Sequence, residues 1–276
     1  MSTDWSALVQ AKRRDAMIKS TLVGMLLLSI FVWSSLQLGL VPERFSSVFE
    51  RSEFLFGLTF PPTLHEPARV LVAAVETIQI AILGTVFGIM LSVPLAFLGA
   101  RNVTPIGWAS WLIKGIGALE RAVPSLIWAI LFIVAVGFGP TAGIMALAVG
   151  SVGMLLKAYA ESIEEVPEGP IEALRAMGAT KFQIAFQGVL PAVLPVFVAW
   201  SVFRWDINVR YSTLLGIVGA GGLGFDLIRA ARTASYDRAL GISLVILVII
   251  MGSELLSNWL QQRIEGPRTE ELITIP

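Results

Sequence analysis

The stretch from Ala122 to Leu156 reads AVPSLIWAILFIVAVGFGPTAGIMALAVGSVGMLL and contains no charged residue over 35 positions. A helix rises about 1.5 Å per residue, so about 20 apolar residues cover the roughly 30 Å hydrocarbon core of a bilayer. The stretch is too long for one straight crossing. Gly137, Gly139 and Pro140 interrupt it, and they divide it into two predicted spans, about 121–138 and 141–157.

The same pattern recurs on both sides. Thr77 to Ala100 is charge-free, and so is Phe182 to Phe203, which carries Pro191 and Pro195. A further span runs from Ala239 to Gln262 with Glu254 as its one charge. Upstream, the run between Lys19 and Glu43 predicts a span at about 20–40. Lys12, Arg13, Arg14 and Lys19 precede it, as basic residues precede a signal peptide. The run is longer than a signal h-region, however, and no small-x-small cleavage site follows, so it reads as a retained helix.

Composition agrees. Charged residues make up 14% of the chain, against about 25% in soluble domains, and hydrophobic residues 55%. Mean hydropathy is +0.78. A disordered chain is excluded, and so few polar side chains could not cover a soluble globule. Twenty basic residues balance twenty acidic ones, so no nucleic-acid partner is indicated. Cysteine is absent, which excludes disulfide and thiolate chemistry, and the single histidine, His65, cannot make a histidine-rich metal site.

The expected fold is therefore an all-α polytopic membrane protein with six transmembrane helices. Its parts are an N-terminus at 1–19, an extra first helix at 20–40, a loop at 41–69, a core of five spans at 70–262 and a tail at 263–276. Six crossings put both termini on one side. Segments on that side hold twelve Lys and Arg against eight on the other, which places the termini in the cytoplasm. Asn102 to Glu120 contains Lys114, Trp108 and Trp111 and reads as a helix lying at the interface.

The loop 157–181 carries the function. Pro167, Gly169 and Pro170 end the preceding span, and Pro170 suits the first turn of a new helix. Ile171, Leu174 and Met177 share a face, Gly178 suits a left-handed stop, and Thr180 with Gln183 makes a capping box. Two turns of helix are marginal alone in water, so this one must dock on something. Packing against its own protein would satisfy that as well as a partner would.

Glu172-Ala173, then Gly178, then Leu190-Pro191 resemble the EAA loop of ABC-importer permeases, although Leu174 stands where that pattern has alanine. Glu76-Thr77-Ile78-Gln79, Pro94-Leu95-Ala96, Ser151-Val152-Gly153-Met154, Asn208-Val209-Arg210 and Val218 to Gly224 are similar to phosphonate-type permeases over residues 70–262. The resemblance implies a type I importer bundle in the cell inner membrane, whose cytoplasmic coupling helix uses Glu172, Ala173, Leu174, Met177 and Gly178. It implies a homodimer working with two cytoplasmic ATPase subunits and an extracytoplasmic substrate-binding protein. ATP and Mg would sit on the ATPase, since the chain has no G-x-x-x-x-G-K-[ST] and no cofactor of its own. The cargo would be phosphonate, phosphite or hypophosphite.

Three further features have two readings each. Arg204 and Arg210 follow a span and could attract an oxyanion, or Arg210 could simply pair with Asp206 four residues away. Gly219, Gly221 and Gly224 match a dinucleotide fingerprint, but that fold needs a βαβ sheet. In the resembled family Gly219, Gly221 and Gly222 would instead form part of the gate. Glu254 could relay protons in a proton-coupled secondary transporter of a small anion, or pair at the interface with Arg263. Gly84 and Gly88 form G-x-x-x-G, which permits close helix packing.

Overall fold

The computed structural model describes residues 5–40, 46–47, 50–104 and 107–265. The predicted tail thus lies almost wholly outside the described residues, as does part of the predicted loop at 41–69. The chain divides into a unit of residues 1–58 and a second from residue 59 onward. In the first, α1 (Trp5–Gln37) begins well before the predicted span; its apolar part, Lys12–Gln37, is long enough to cross a bilayer. Helix α2 (Ser52–Thr59) lies at the boundary.

The second unit contains α3 (Pro67–Gly99), α4 (Gly107–Ala122), α5 (Ser125–Val136), α6 (Pro140–Glu164) and α7 (Glu168–Ala176). A single turn, α8 (Lys181–Gln183), runs through a π-helical turn (Ile184–Val189) into α9 (Leu190–Ile217). Helices α10 (Gly222–Arg232) and α11 (Tyr236–Glu265) complete it. Among the described residues there is no β-strand.

Helices α3 and α6 form the central crossing. A Cβ placed on Gly84 would meet the Leu147 Cβ at 2.5 Å, and one on Gly88 would collide with the Ser151 Cβ. The G-x-x-x-G pair therefore lets two backbones approach to a distance no larger residue permits. Three apolar clusters surround this axis. One joins Ala96, Leu155, Tyr159, Ile163, Ile171, Val189 and Phe197, where the Tyr159 and Phe197 rings stack at 4.1 Å. A second, around Ile80, Ala129, Leu147, Leu215 and Ala220, lies midway. The third gathers Val70, Leu223, Ala230 and Ile242.

The bundle has two polar ends. At one, Lys114 bonds Glu164 at 2.7 Å, the Arg101 N–H donates to Glu164 and the Lys181 ammonium to the Thr104 carbonyl. At the other, the Thr63 hydroxyl donates to Asp237 at 2.6 Å, Arg69 pairs with Asp226 at 2.9 Å and the Gly139 N–H donates to the Gly219 carbonyl. His65 sits exposed beside Asp237, as an ordinary loop histidine would.

Two predicted spans are corrected. The first is 121–138. Helix α5 has 12 residues, which is about 18 Å and too short to cross alone. Helix α4 packs on α6 just before it: Lys114 lies opposite Glu164, Gly117 opposite Leu156, Glu120 opposite Gly153 and Ser125 opposite Gly150. The two helices meet at an 89° bend. Pro124 causes the break, since it offers no N–H and disfavours helix at Val123. Asn102–Glu120 is thus packed on the bundle and joined to α5 as a bent pair, and the described residues hold five long apolar helices, or six spans if that pair counts as one.

The second correction concerns the span predicted to end at Phe203. Helix α9 continues to Ile217 and carries Arg204 and Asp206 into the bundle, with Arg210 at its edge. Counting charge-free residues misplaces a span end when the charges face the interior.

Candidate functional site

Helix α7 is built by its flanks. Pro167 caps it, Pro170 occupies the first turn, Glu168 lies in that turn and Arg175 in the last, each suiting the helix dipole. At the other end Gly178 takes φ +83°, its N–H donates to the Arg175 carbonyl at 3.0 Å, and the Ala179 N–H donates to the Leu174 carbonyl at 3.1 Å. These two bonds make a Schellman stop. The capping box then starts α8: the Gln183 N–H donates to the Thr180 hydroxyl and the Thr180 N–H to the Gln183 side chain.

The helix is seated on its bundle by two side chains. Ile171 is 3% exposed within the apolar cluster, and Leu174 packs beside it. A Cβ on Gly188 would come within 2.5 Å of the Leu174 Cδ1, so Leu174 fills a notch in the π-helical turn. Pro191 follows that turn and has no N–H for the Gln187 carbonyl, which the widened turn accommodates. Glu172 and Ala173 remain exposed on the outer face. Met177, expected on the face of Ile171 and Leu174, is instead 75% exposed, because the helix has already ended at its C-cap.

At the opposite end, Gly219, Gly221 and Gly222 turn the chain from α9 to α10 with φ of +106°, +86° and +69°. The turn bonds the start of α6 through Gly139 and Gly219, and the Thr77 hydroxyl accepts from the Leu223 N–H at 2.9 Å. Glu76, Thr77 and Phe138 occupy the space that side chains on these glycines would need. With helices on both sides and the concavity already filled, the dinucleotide reading fails.

The sequence-predicted arginines separate. Arg204 is 5% exposed near the middle of α9, with its Nε donating to the Ser151 hydroxyl at 2.9 Å. The Asn208 amide bonds the same hydroxyl at 3.0 Å and the Thr85 hydroxyl at 2.8 Å, tying α3, α6 and α9 together at mid-depth. The Arg204 Nη2 and the Asn208 Oδ1 are buried without a hydrogen-bond partner, and the Glu120 carboxylate lies within electrostatic reach of Arg204. The sequence reading missed Thr85, Glu120, Ser151 and Asn208 as a cluster. A hydroxyl inside a charge-free run was the available signal.

Arg210 pairs with Asp206 at 2.9 Å, as its spacing allowed, and also with Glu254 at 3.2 Å. Asp206 also accepts from the Ser253 hydroxyl at 2.9 Å, so the group ties α9 to α11. Glu254 does not pair with Arg263, which stacks over Trp259. Arg210→Gln is expected to lower the thermal midpoint in detergent while leaving the protein in the membrane, since it removes the cation that joins Asp206 to Glu254. An unchanged midpoint would mean that this group does not hold α9 to α11.

Residues 84–266 match the family model described as binding-protein-dependent transport system inner membrane component. The chain is 48% identical over 197 residues to the phosphate-import permease protein PhnE of Mycolicibacterium smegmatis, spanning 71% of this chain but 37% of that relative's length. It is 40% identical to the phosphite transport system permease protein PtxC of Stutzerimonas stutzeri over 71% of each chain. Among solved structures, an inward-facing MetNI methionine ABC transporter chain superposes with a TM-score of 0.58 at 25% identity, covering 72% of this chain and 99% of that one.

Proposed function

Given that the chain belongs to the binding-protein-dependent transport system inner membrane component family, and is thus a non-catalytic permease subunit of an ABC transporter, we propose that it imports a phosphorus oxyanion. Phosphite, phosphate or a phosphonate is the cargo. Two relatives named for phosphate or phosphite import support that class. The working assembly is two copies of this chain, two cytoplasmic ATPase subunits and an extracytoplasmic binding protein. The α7 end and both termini face the cytoplasm.

The observation that carries the mechanism is the seating of α7. Its outer face, with Glu172, Ala173, Met177 and Gly178, meets the ATPase. Its inner face is keyed into the π-helical turn by Leu174 and into the core by Ile171. When ATP closes the ATPase pair, the displacement of α7 passes directly into α9, which carries Arg204 and leads to the turn at Gly219, Gly221 and Gly222. The bundle then switches between two packed arrangements, inward-open and outward-open. The binding protein hands over the anion in the outward-open arrangement.

Leu174→Ala empties the notch at Gly188. It is expected to cut ATP-driven phosphite uptake in proteoliposomes at least tenfold, while permease yield and ATPase co-purification persist. Two results would overturn the reading: tagged permease that brings down no ATPase in mild detergent, or uptake driven by a pH gradient alone. The second would restore the proton-coupled transporter, whose relay candidates are Glu254, Asp206 and Arg204; the two carboxylates are here both paired with Arg210.

A further inference from the structure

Two polar stripes face each other between α4 and α6. On α4, Lys114, Gly117 and Arg121 recur at three and four residues; on α6, Gly153, Lys157 and Glu161 recur at four. Together with Leu156 they line a cleft of about 140 Å³. Liquid water takes about 30 Å³ per molecule, so this cleft suits one small tetrahedral anion and a water or two. The glycines let the two helices approach closely around it. A Cβ on Gly117 would sit 2.8 Å from Leu156, and one on Gly153 would strike Glu120 and the Arg121 stem.

The charges do not cancel. Lys114 is held by Glu164 at 2.7 Å and Lys157 by Glu161 at 3.6 Å. Glu120 has both buried Arg204 and Arg121 within electrostatic reach, so four cations here face three carboxylates, Glu120, Glu161 and Glu164. Arg121 makes no ion pair among the described residues; its Nε donates to the Gly117 carbonyl at 3.3 Å. Lys157 and Glu161 are about half exposed on the surface of this chain. Gly153, beside Arg121, lies eleven residues before Glu164, or about 16 Å along α6. Charges exposed at that depth face water or protein and not lipid. The outer face of α4 (Trp111, Ile116, Leu119) and that of α11 (Leu247, Val248, Met251) are apolar instead.

We propose that the cleft between α4 and α6 is an oxyanion station on the translocation path, in which Arg121 and Lys157 bind one phosphite, phosphate or phosphonate group. The assignment rests on the importer reading above. The guanidinium of Arg121 offers paired donors to two oxygens, and the mobile ammonium of Lys157 takes a third. The excess of one cation over the carboxylates matches one bound monoanion. A lipid phosphate has the same chemistry, and the choice of nanodisc lipid below separates it from a free anion.

The chain has no cysteine, so single thiols report cleanly on water access. Glu161→Cys, in full-length protein in phosphatidylcholine nanodiscs, is expected to react with an anionic methanethiosulfonate. Val248→Cys, on the apolar face of α11, should stay inert. Millimolar phosphite, phosphate or methylphosphonate should slow the Glu161→Cys reaction at least fivefold relative to chloride at equal ionic strength. Adding Arg121→Gln should abolish the slowing. In the unsubstituted chain, phosphite should likewise shield Arg121 from phenylglyoxal, read by mass spectrometry, which keeps the test decisive if the cysteine variant folds poorly.

A Glu161→Cys thiol as inert as that of Val248→Cys, no slowing by the anions, or slowing that survives Arg121→Gln would each overturn the station. So would protection by phosphatidylglycerol nanodiscs without protection by free anions, which would make it a headgroup site. Co-purification of an ATPase is scored separately, so the station can fail while the importer reading stands.

Discussion

A leucine at Gly88 is expected to prevent stable accumulation of this protein. The Cβ alone would collide with the Ser151 Cβ, and the Ala148 carbonyl lies 3.3 Å away. Neither can yield without moving the backbone of α6. Overpacking a core costs about 1–3 kcal/mol where neighbours adjust, and a clash against a helix backbone lies at or beyond the top of that range. A folded protein has about 5–15 kcal/mol in total, so the loss is a large fraction. Separating α3 from α6 would also pull Thr85 from Asn208. Gly252→Leu is the control, because nothing lies within 4 Å of its Cβ. Membrane yield and the thermal midpoint in detergent decide the matter: a Gly88→Leu protein with wild-type values would mean that α3 and α6 do not cross here.

The second large effect is at Arg204. Arg204→Met removes the donor to Ser151 and one of the two arginines within electrostatic reach of the Glu120 carboxylate. A hydrogen bond to a charged group contributes about 1.5–3 kcal/mol. The thermal midpoint is therefore expected to fall. The double variant Glu120→Gln/Arg204→Met should recover part of the loss, since no carboxylate then lacks the field of Arg204. Neighbouring charged groups couple by about 0.5–3 kcal/mol, so additive losses would show that the two do not interact. A midpoint unmoved by Arg204→Met would mean that the guanidinium is hydrated and not part of the packed cluster.

Legibility in the sequence was uneven, for a physical reason. The Glu168–Ala176 helix could be read almost residue by residue because Pro167, Pro170, the left-handed Gly178 and the Thr180–Gln183 capping box bracket it closely on both sides. Even there the reading put Met177 on the packed face, since period alone does not show where a helix stops. Close approach at Gly84 and Gly88 was readable as a possibility, and only the facing Leu147 and Ser151 made it a contact. The packing of α4 on α6 was not readable because α4 carries ordinary interfacial signals. Trp108, Trp111 and Lys114 look interfacial until Lys114 is seen to reach Glu164, fifty residues on.

By itself the amino-acid sequence determined that this is a helical membrane protein, and where most of its helices are interrupted. Those properties follow from lipid's inability to bond a peptide group and from the geometry of glycine and proline, which act locally. Tertiary structure alone decided which charges lie inside. Arg204 meets Ser151 across 53 residues and Asn208 meets Thr85 across 123. A polar side chain in a membrane is stable only against a partner, and the identity of that partner depends on how the helices pack, not on residues beside it in the chain.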